Sequence, residues 1–277
     1  MSDNDELSHT PKRDDGLVAL QKDAPSVVLK TNNISKDYTL KKKIIHSLKN
    51  LDLEIKRGEF VAIMGLSGSG KTTLLNILGC LDRPSSGTVL LEDQDVTDIP
   101  DSQLFKVRRD KIGFVFQSFN LLPYLSAREN VELSMQGSNK SKIERYSKAK
   151  ELLDVVGLSG REDHRPQQLS SGEQQRVAIA RALANDPAII LADELTGNLD
   201  GETKSEIVRL LVDLNLKKGT TIVIVTHDEQ VAEATERILR LKSGRIEKER
   251  KGNLAKKKED QNYLKRKRKD IAGVGPV

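Results

Sequence analysis

Residues 60–78 read Phe60-Val61-Ala62-Ile63-Met64, then Gly65-Leu66-Ser67-Gly68-Ser69-Gly70-Lys71-Thr72, then Thr73-Leu74-Leu75-Asn76-Ile77-Leu78. The first run has the length and composition of a buried strand, and the last reads as a helix. Between them stands the pattern G-x-x-x-x-G-K-[ST], in the strand-to-helix context that gives it meaning. Its glycines let backbone N–H groups curl around phosphate oxygens, and the helix N-terminus adds a field that favours an anion. Lys71 brings a positive charge suited to β- and γ-phosphates, and the Thr72 hydroxyl is suited to ligate Mg2+. The stretch reads as a nucleotide-binding loop that opens an α/β domain. Alone it does not separate kinases, GTPases and motor ATPases.

Working outward, the pattern predicts short strands at 27–30, 37–40, 51–55 and 88–91, and a short helix from an Asp101 N-cap to about 109. Helices are expected over 127–157, 171–185, 203–216 and 228–235. Buried strands are expected at 188–192 and 221–225, and a terminal hairpin at 238–241 and 245–248. Strands alternating with helices imply a mostly parallel sheet. The helix-rich block at about 118–184 interrupts that alternation and reads as a second lobe. Residues 1–25 are polar and aperiodic and are expected to be disordered.

The chain has 277 residues, 36% hydrophobic and 31% charged, which suits a globular α/β domain. No run approaches the roughly 18–20 apolar residues of a spanning helix, and the start carries no apolar segment of a secretory signal. The single cysteine, Cys80, excludes an intrachain disulfide and agrees with a reducing cytoplasm; it reads as a small buried residue rather than a reactive thiol. The net charge of +5 is unevenly placed. Residues 251–270 hold nine Lys/Arg and three Asp/Glu, so the body is nearly neutral and a basic-patch reading of the whole protein fails. The tail, 251–277, reads as solvated and disordered; contact with anionic lipid or a permease, or with nucleic acid, are the other uses such clusters have.

Further motifs follow in order. Leu169-Ser170-Ser171-Gly172-Glu173 opens an apolar helix whose N-terminus is a second place for an anion. Ile189-Ile190-Leu191-Ala192-Asp193-Glu194 ends a strand in two carboxylates, and Gly197-Asn198-Leu199-Asp200 comes after it. His227 follows the strand at 221–225, Gln117 ends Phe114-Val115-Phe116-Gln117, and Tyr38 lies in a short β segment. Singly, each has an ordinary reading: a structural histidine, an Asp-Glu helix cap, a packing tyrosine.

Together, in this order, they resemble the ATP-binding-cassette (ABC) family over about residues 27–250. The resemblance implies a P-loop NTPase of ABC type: a RecA-like parallel-sheet core, an antiparallel β subdomain and an inserted helical lobe, within a domain at 26–250. It implies that Asp193, with Thr72 and Gln117, serves the Mg2+, that Glu194 polarises the attacking water, and that His227 contacts the γ-phosphate. Tyr38 would stack on adenine. Residues 169–173 would cap the γ-phosphate of ATP held by a second copy, with Asp200 in the loop crossing the interface, so that two copies clamp two ATP molecules.

Within the family the similarity is greatest to the macrolide-export and lipoprotein-release group (MacB/LolD-type ATPases), carried by RGEFVAIMG at 57–65, LNILGCLDRP at 75–84, RRDKIGFVFQSFNLLP at 108–123 and ADELTGNLD at 192–200. That resemblance implies a peripheral subunit on the cytoplasmic face of the membrane, driving a separate permease with few helices and a large extracytoplasmic domain. The sequence departs from the family at Ser171 (usually glycine), Glu173 (glutamine), Leu195 (proline) and Leu66 (proline in this group). Ser171 is expected to crowd the phosphate, and Leu195 to loosen the Glu194 loop by freeing φ. Two alternatives differ in class. A soluble cassette acting on DNA or ribosomes would carry long coiled coils between the loop and residue 169, or two cassettes in one chain. A P-loop kinase or GTPase would leave 169–173 and His227 unexplained. No nucleic-acid partner is expected.

Overall fold

The computed structural model describes residues 26–41 and 43–259. The disorder expected for 1–25, and most of the basic tail, lie outside them. Two sheets organise the rest. The smaller is antiparallel, in the order β2-β1-β4-β5, built from β1 (Val27–Leu40), β2 (Lys43–Lys56), β4 (Ser86–Leu91) and β5 (Gln94–Asp95). The larger has the order β10-β9-β3-β8-β7-β6, from β3 (Phe60–Met64), β6 (Ile112–Val115), β7 (Ile189–Asp193), β8 (Ile222–Thr226), β9 (Arg237–Lys242) and β10 (Arg245–Lys251). Its strands are parallel except β10, which closes a hairpin with β9.

The central strands are apolar on both sides because both sides are covered. Phe60, Ala62, Ile190, Ala192, Ile222 and Ile224 face one core. Val61, Ile63, Ile189, Leu191, Val223 and Val225 face the other, shared with the small sheet and with α1 (Lys71–Leu78). The helical lobe lies between β6 and β7 and consists of α3 (Ala127–Ser134), α4 (Lys142–Val155) and α5 (Ser171–Leu183). α2 (Asp101–Lys111) precedes β6, while α6 (Gly201–Lys218) and α7 (Glu229–Glu233) follow β7 and β8.

β5 and β6 have no counterpart among the strands the pattern predicts, and the structure differs from expectation in five further places. The two short segments at 27–30 and 37–40 are one strand, β1, bent by register shifts around Ile34 and Lys36. β2 starts eight residues before the predicted 51–55 strand, and most of that outer part is exposed. The helix predicted over 127–157 is broken; Gly137 takes a φ of 77°, and Ser141 and Glu144 form a capping box that starts α4. Asp101 is the first helical residue rather than the cap, a place Pro100 takes; its carboxylate accepts from Arg83 at 2.8 Å.

The fifth difference is the root of the basic tail. Residues 253–259 are helical. Leu254 is buried in the main core, and Lys258 Nζ donates to Gly58 O at 2.8 Å and Glu236 Oε2 at 2.5 Å. A Cβ on Gly252 would stand 2.2 Å from Thr235 O, so the chain turns there at backbone contact. Lys251 pairs with Glu259. Two of the tail's cations therefore serve the fold. Among the described residues no helix is long and apolar enough to cross a membrane.

Candidate functional site

In parallel α/β sheets, ligands bind beyond the carboxyl ends of the strands. Here register decides which residues meet there: Met64 lies beside Thr226, and Asp193 beside Val225. The next residues in each chain, Gly65, His227 and Glu194, therefore emerge along one edge.

The loop at 65–72 is clamped between backbones. A Cβ on Gly65 would lie 2.4 Å from Leu241 O, and one on Gly70 would lie 2.6 Å from Ser47 O. Gly68 and Gly70 also hold φ of 76° and 103°, conformations that favour glycine. Ser69 O accepts from Gly244 N at 3.0 Å, tying the loop to the β9–β10 turn. Lys71, only 8% exposed, donates to Gly65 O at 2.9 Å and Leu66 O at 3.1 Å. Its ammonium is thus held across the loop's mouth by acceptors that a phosphate can replace. Ser69 Oγ is buried without a partner.

The cleft beside the loop measures about 460 Å³. Tyr38, Ser67, Gly68, Gly70, Lys71, Thr72, Glu194 and His227 line it, together with Ile45, Ser47 and Thr73, which the sequence reading did not single out. Register supplies the missing signal: Ile45 lies opposite Tyr38 across β1 and β2, and Ser47 Oγ donates to Thr73 Oγ1 at 2.8 Å. Tyr38 is 39% exposed, with its hydroxyl donating to Asp82 Oδ2 at 2.7 Å.

Glu194 and His227 stand together, Glu194 Oε1 being 3.2 Å from His227 Nδ1. Both are fixed by their backbones. Glu194 takes a φ of 41°, a left-handed conformation unusual for glutamate, and its N–H donates to Val225 O at 2.9 Å. His227 sits between the end of β8 and Asp228, the N-cap of α7, whose carboxylate also holds Lys204 at 2.6 Å. The Leu195 side chain is 1% exposed and belongs to the main core, a packing contact that counters the φ freedom gained where proline is usual. Burial raises the Asp193 carboxyl above the ordinary carboxylate range; Glu194 pushes the same way and Lys71 opposes them. Cys80 is buried, and desolvation pushes its thiol up to about 11, the behaviour of a core group.

Gln117 is turned elsewhere. Its Nε2 lies 3.5 Å from Asn198 Oδ1, and Asn198 Nδ2 donates to its carbonyl at 3.1 Å. Gly197 passes so close that a Cβ would meet Gln117 Nε2 at 2.7 Å. The lobe entrance is therefore bonded to the loop at 197–200. At the end of that loop Asp200 caps α6, accepting from Glu202 N and Thr203 N; the Thr203 contacts hold its carboxyl below the usual range.

Residues 169–173 line none of this cleft. They start α5 as a capping box: Ser170 Oγ accepts from Glu173 N at 3.2 Å, and Glu173 Oε2 from Ser170 N at 2.8 Å. Glu173 also lies 3.3 Å from Arg161 Nε, which balances the charge that replaces glutamine. Gly172 packs against α6, where a Cβ would stand 2.4 Å from Thr203 Cγ2. The loop at 65–72 and the turn at 169–173 therefore do not share one cleft within the chain.

The ABC transporter family matches residues 48–197. An ABC transporter ATP-binding protein of Methanocaldococcus jannaschii, MJ0796, is 53% identical over 228 residues, covering 81% of this chain and 97% of that protein. The chain belongs to the ABC transporter family. The macrolide export ATP-binding/permease protein MacB of Syntrophobacter fumaroxidans is 49% identical over 224 residues, 80% of this cassette but 31% of the exporter. The dimeric, post-hydrolysis structure of MJ0796 bound to ADP and Pi superposes with a TM-score of 0.74 at 52% identity, over 80% of this chain and 98% of that one. The cassette is thus an ATP-binding ATPase subunit of ABC type, consistent with the macrolide-export and lipoprotein-release group. The reading as a soluble cassette acting on DNA or ribosomes is not favoured.

Proposed function

We propose that two copies of the cassette close head to tail, each cleft at 65–72 receiving residues 169–173 of the other copy, and that closure on ATP drives a permease. One observation carries this reading: Lys71, Glu194 and His227 share a cleft, while 169–173 opens α5 elsewhere on the same chain. A chain acting alone would leave one of the two half-sites without use. The dimeric state of the solved relative supports it.

The cleft's donors fit nucleotide and metal. Backbone turns at Gly68 and Gly70 leave room for phosphate oxygens, with Lys71 as the cation. Among the described residues no group of three or more His, Cys, Asp or Glu side chains could hold a metal. A hydroxyl, an amide and one carboxylate instead suit an Mg2+ that shares its shell with phosphates. Thr72 and Asp193 would hold that ion, with Gln117 joining them only if its side chain leaves Asn198, and the ion would neutralise phosphate charge. Glu194 accepts the proton of the attacking water, and His227, 3.2 Å from it, fixes its carboxylate and reaches the transferred phosphate. Tyr38 receives the base. The permease is read as a separate chain at the cytoplasmic face, corresponding to the part of MacB-type exporters that this chain does not match.

Glu194→Gln tests the reading. It keeps the contacts and removes the base, so ATP should bind, turnover should fall by two orders of magnitude or more, roughly the share of a positioned general base, and a dimer should accumulate on size exclusion with ATP. A strictly monomeric profile with turnover lost would refute the clamp.

A further inference from the structure

Tyr38 does not stand free at the mouth of the cleft. Its hydroxyl donates to Asp82 Oδ2 at 2.7 Å. The other oxygen, Asp82 Oδ1, accepts from Lys36 Nζ at 2.6 Å and from Arg83 N at 2.7 Å. Lys36, two residues before Tyr38 on β1 and so on the same face, places its ammonium 5.0 Å from the centre of the Tyr38 ring. Lys36 Nζ donates also to Arg83 O at 2.7 Å, which anchors the cation in the same turn.

That turn is rigid. It follows α1 directly: the N–H groups of Cys80, Leu81 and Asp82 donate back to Ile77 O, Asn76 O and Asn76 O. Arg83 is fixed in turn by Thr97 O and Ile99 O, both at 2.5 Å. The helix that begins with Lys71 therefore runs into the turn that carries the carboxylate bonded to Tyr38. Phosphate and base ends of the cleft share one rigid element, although Tyr38 itself comes from the other sheet.

We propose that Asp82 is a positioning residue for the nucleotide base, holding the Tyr38 ring by its hydroxyl and Lys36 beside it so that the base meets a ring already set. This rests on the reading of the cleft as the ATP site and of Tyr38 as the base platform. The phenol is half-exposed, and without the bond it would sample other rotamers that base binding must then freeze. The affinity at stake is about three- to tenfold, the usual cost of immobilising one rotamer-rich side chain. Only the base-dependent part of binding is affected, because the Asp82 carboxylate's hydrogen bonds and ion pair go to Lys36, Tyr38 and Arg83 rather than to 65–72.

The test uses the full chain carrying Glu194→Gln, with Mg2+, and calorimetric titration of ATP and of tripolyphosphate, which lacks the base. Asp82→Ala should weaken ATP about three- to tenfold and leave tripolyphosphate unchanged. Tyr38→Phe, which keeps the Asp82–Lys36 pair, should weaken ATP similarly, and Asp82→Ala added to it should cost nothing further. Unchanged ATP affinity in Tyr38→Phe or Asp82→Ala overturns the proposal. So does an equal loss of both ligands, which would mark a structural role, or additive losses in the double variant. If Asp82→Ala does not fold, Tyr38→Phe against the two ligands decides alone. Failure of the chain with intact Asp82 and Tyr38 to bind either ligand would refute the site reading instead.

Discussion

Gly172→Ala offers a measurable test of how the signature helix is seated. The added Cβ would stand 2.4 Å from Thr203 Cγ2, far inside the roughly 3.5–4.0 Å of favourable carbon contact. Thr203 cannot simply turn away, because its Oγ1 donates to Asp200 Oδ2 at 2.7 Å and its N–H to Asp200 Oδ1 at 3.0 Å. With Thr203 held by both bonds, relief needs a shift of α5 against α6, about 1–3 kcal/mol for overpacking. Against this stands alanine's helical advantage, at most about 1 kcal/mol over glycine. The clash wins, and Gly172→Ala should lose about 1–2 kcal/mol in urea unfolding. Thr203→Ser keeps the hydroxyl and deletes the methyl group. In that background Gly172→Ala should be neutral or stabilising by up to about 1 kcal/mol. An equal cost in both backgrounds would show that the glycine is needed for something other than this contact.

Two more outcomes follow from burial. Asp193 has a folded pKa raised above its unfolded value, so the stability it allows is fully present below the unfolded pKa and is lost as pH rises through the folded one. Asp193→Asn should therefore melt higher than the unsubstituted chain near pH 7 without nucleotide, and the gap should close near pH 4; a gap independent of pH would contradict the assignment, and ATP turnover should be lost in the same variant. Leu254→Ala should cost about 2–5 kcal/mol if the tail root is core, and a loss under about 0.5 kcal/mol would return those residues to the solvated tail the sequence predicted.

What the sequence made legible was local. The loop at 65–72 could be placed because strand, glycines and helix lie within nineteen consecutive residues, and the central strands because covering both faces leaves unbroken apolar runs. The outer half of β2 carried no such mark, being exposed, and with it went Ile45 and Ser47. Leu254-Ala255, two apolar residues in a charged stretch, show no periodicity; their burial comes from a surface made by other elements. The capping pair Ser141 and Glu144 was readable and would have split the long helix. Gln117 and Asn198 are 81 residues apart, and no pattern announces their bond. Leu195 could be read for its effect on φ, but its place in the main core depends on residues distant in sequence.

The path from α5 to β7 has a genetic consequence. Residues 171–193 run without a long loop from the start of α5 to the end of β7, that is, from the turn proposed to serve a neighbour to Asp193. In the paired arrangement proposed above, a copy disabled at Lys71 still lends its signature turn and still occupies a place in the pair. Expressed beside intact chains, such a copy would spoil assemblies whose other half is sound. Loss of Lys71 should then behave as a dominant trait, whereas a change that keeps the chain from folding, and so from pairing, should be recessive.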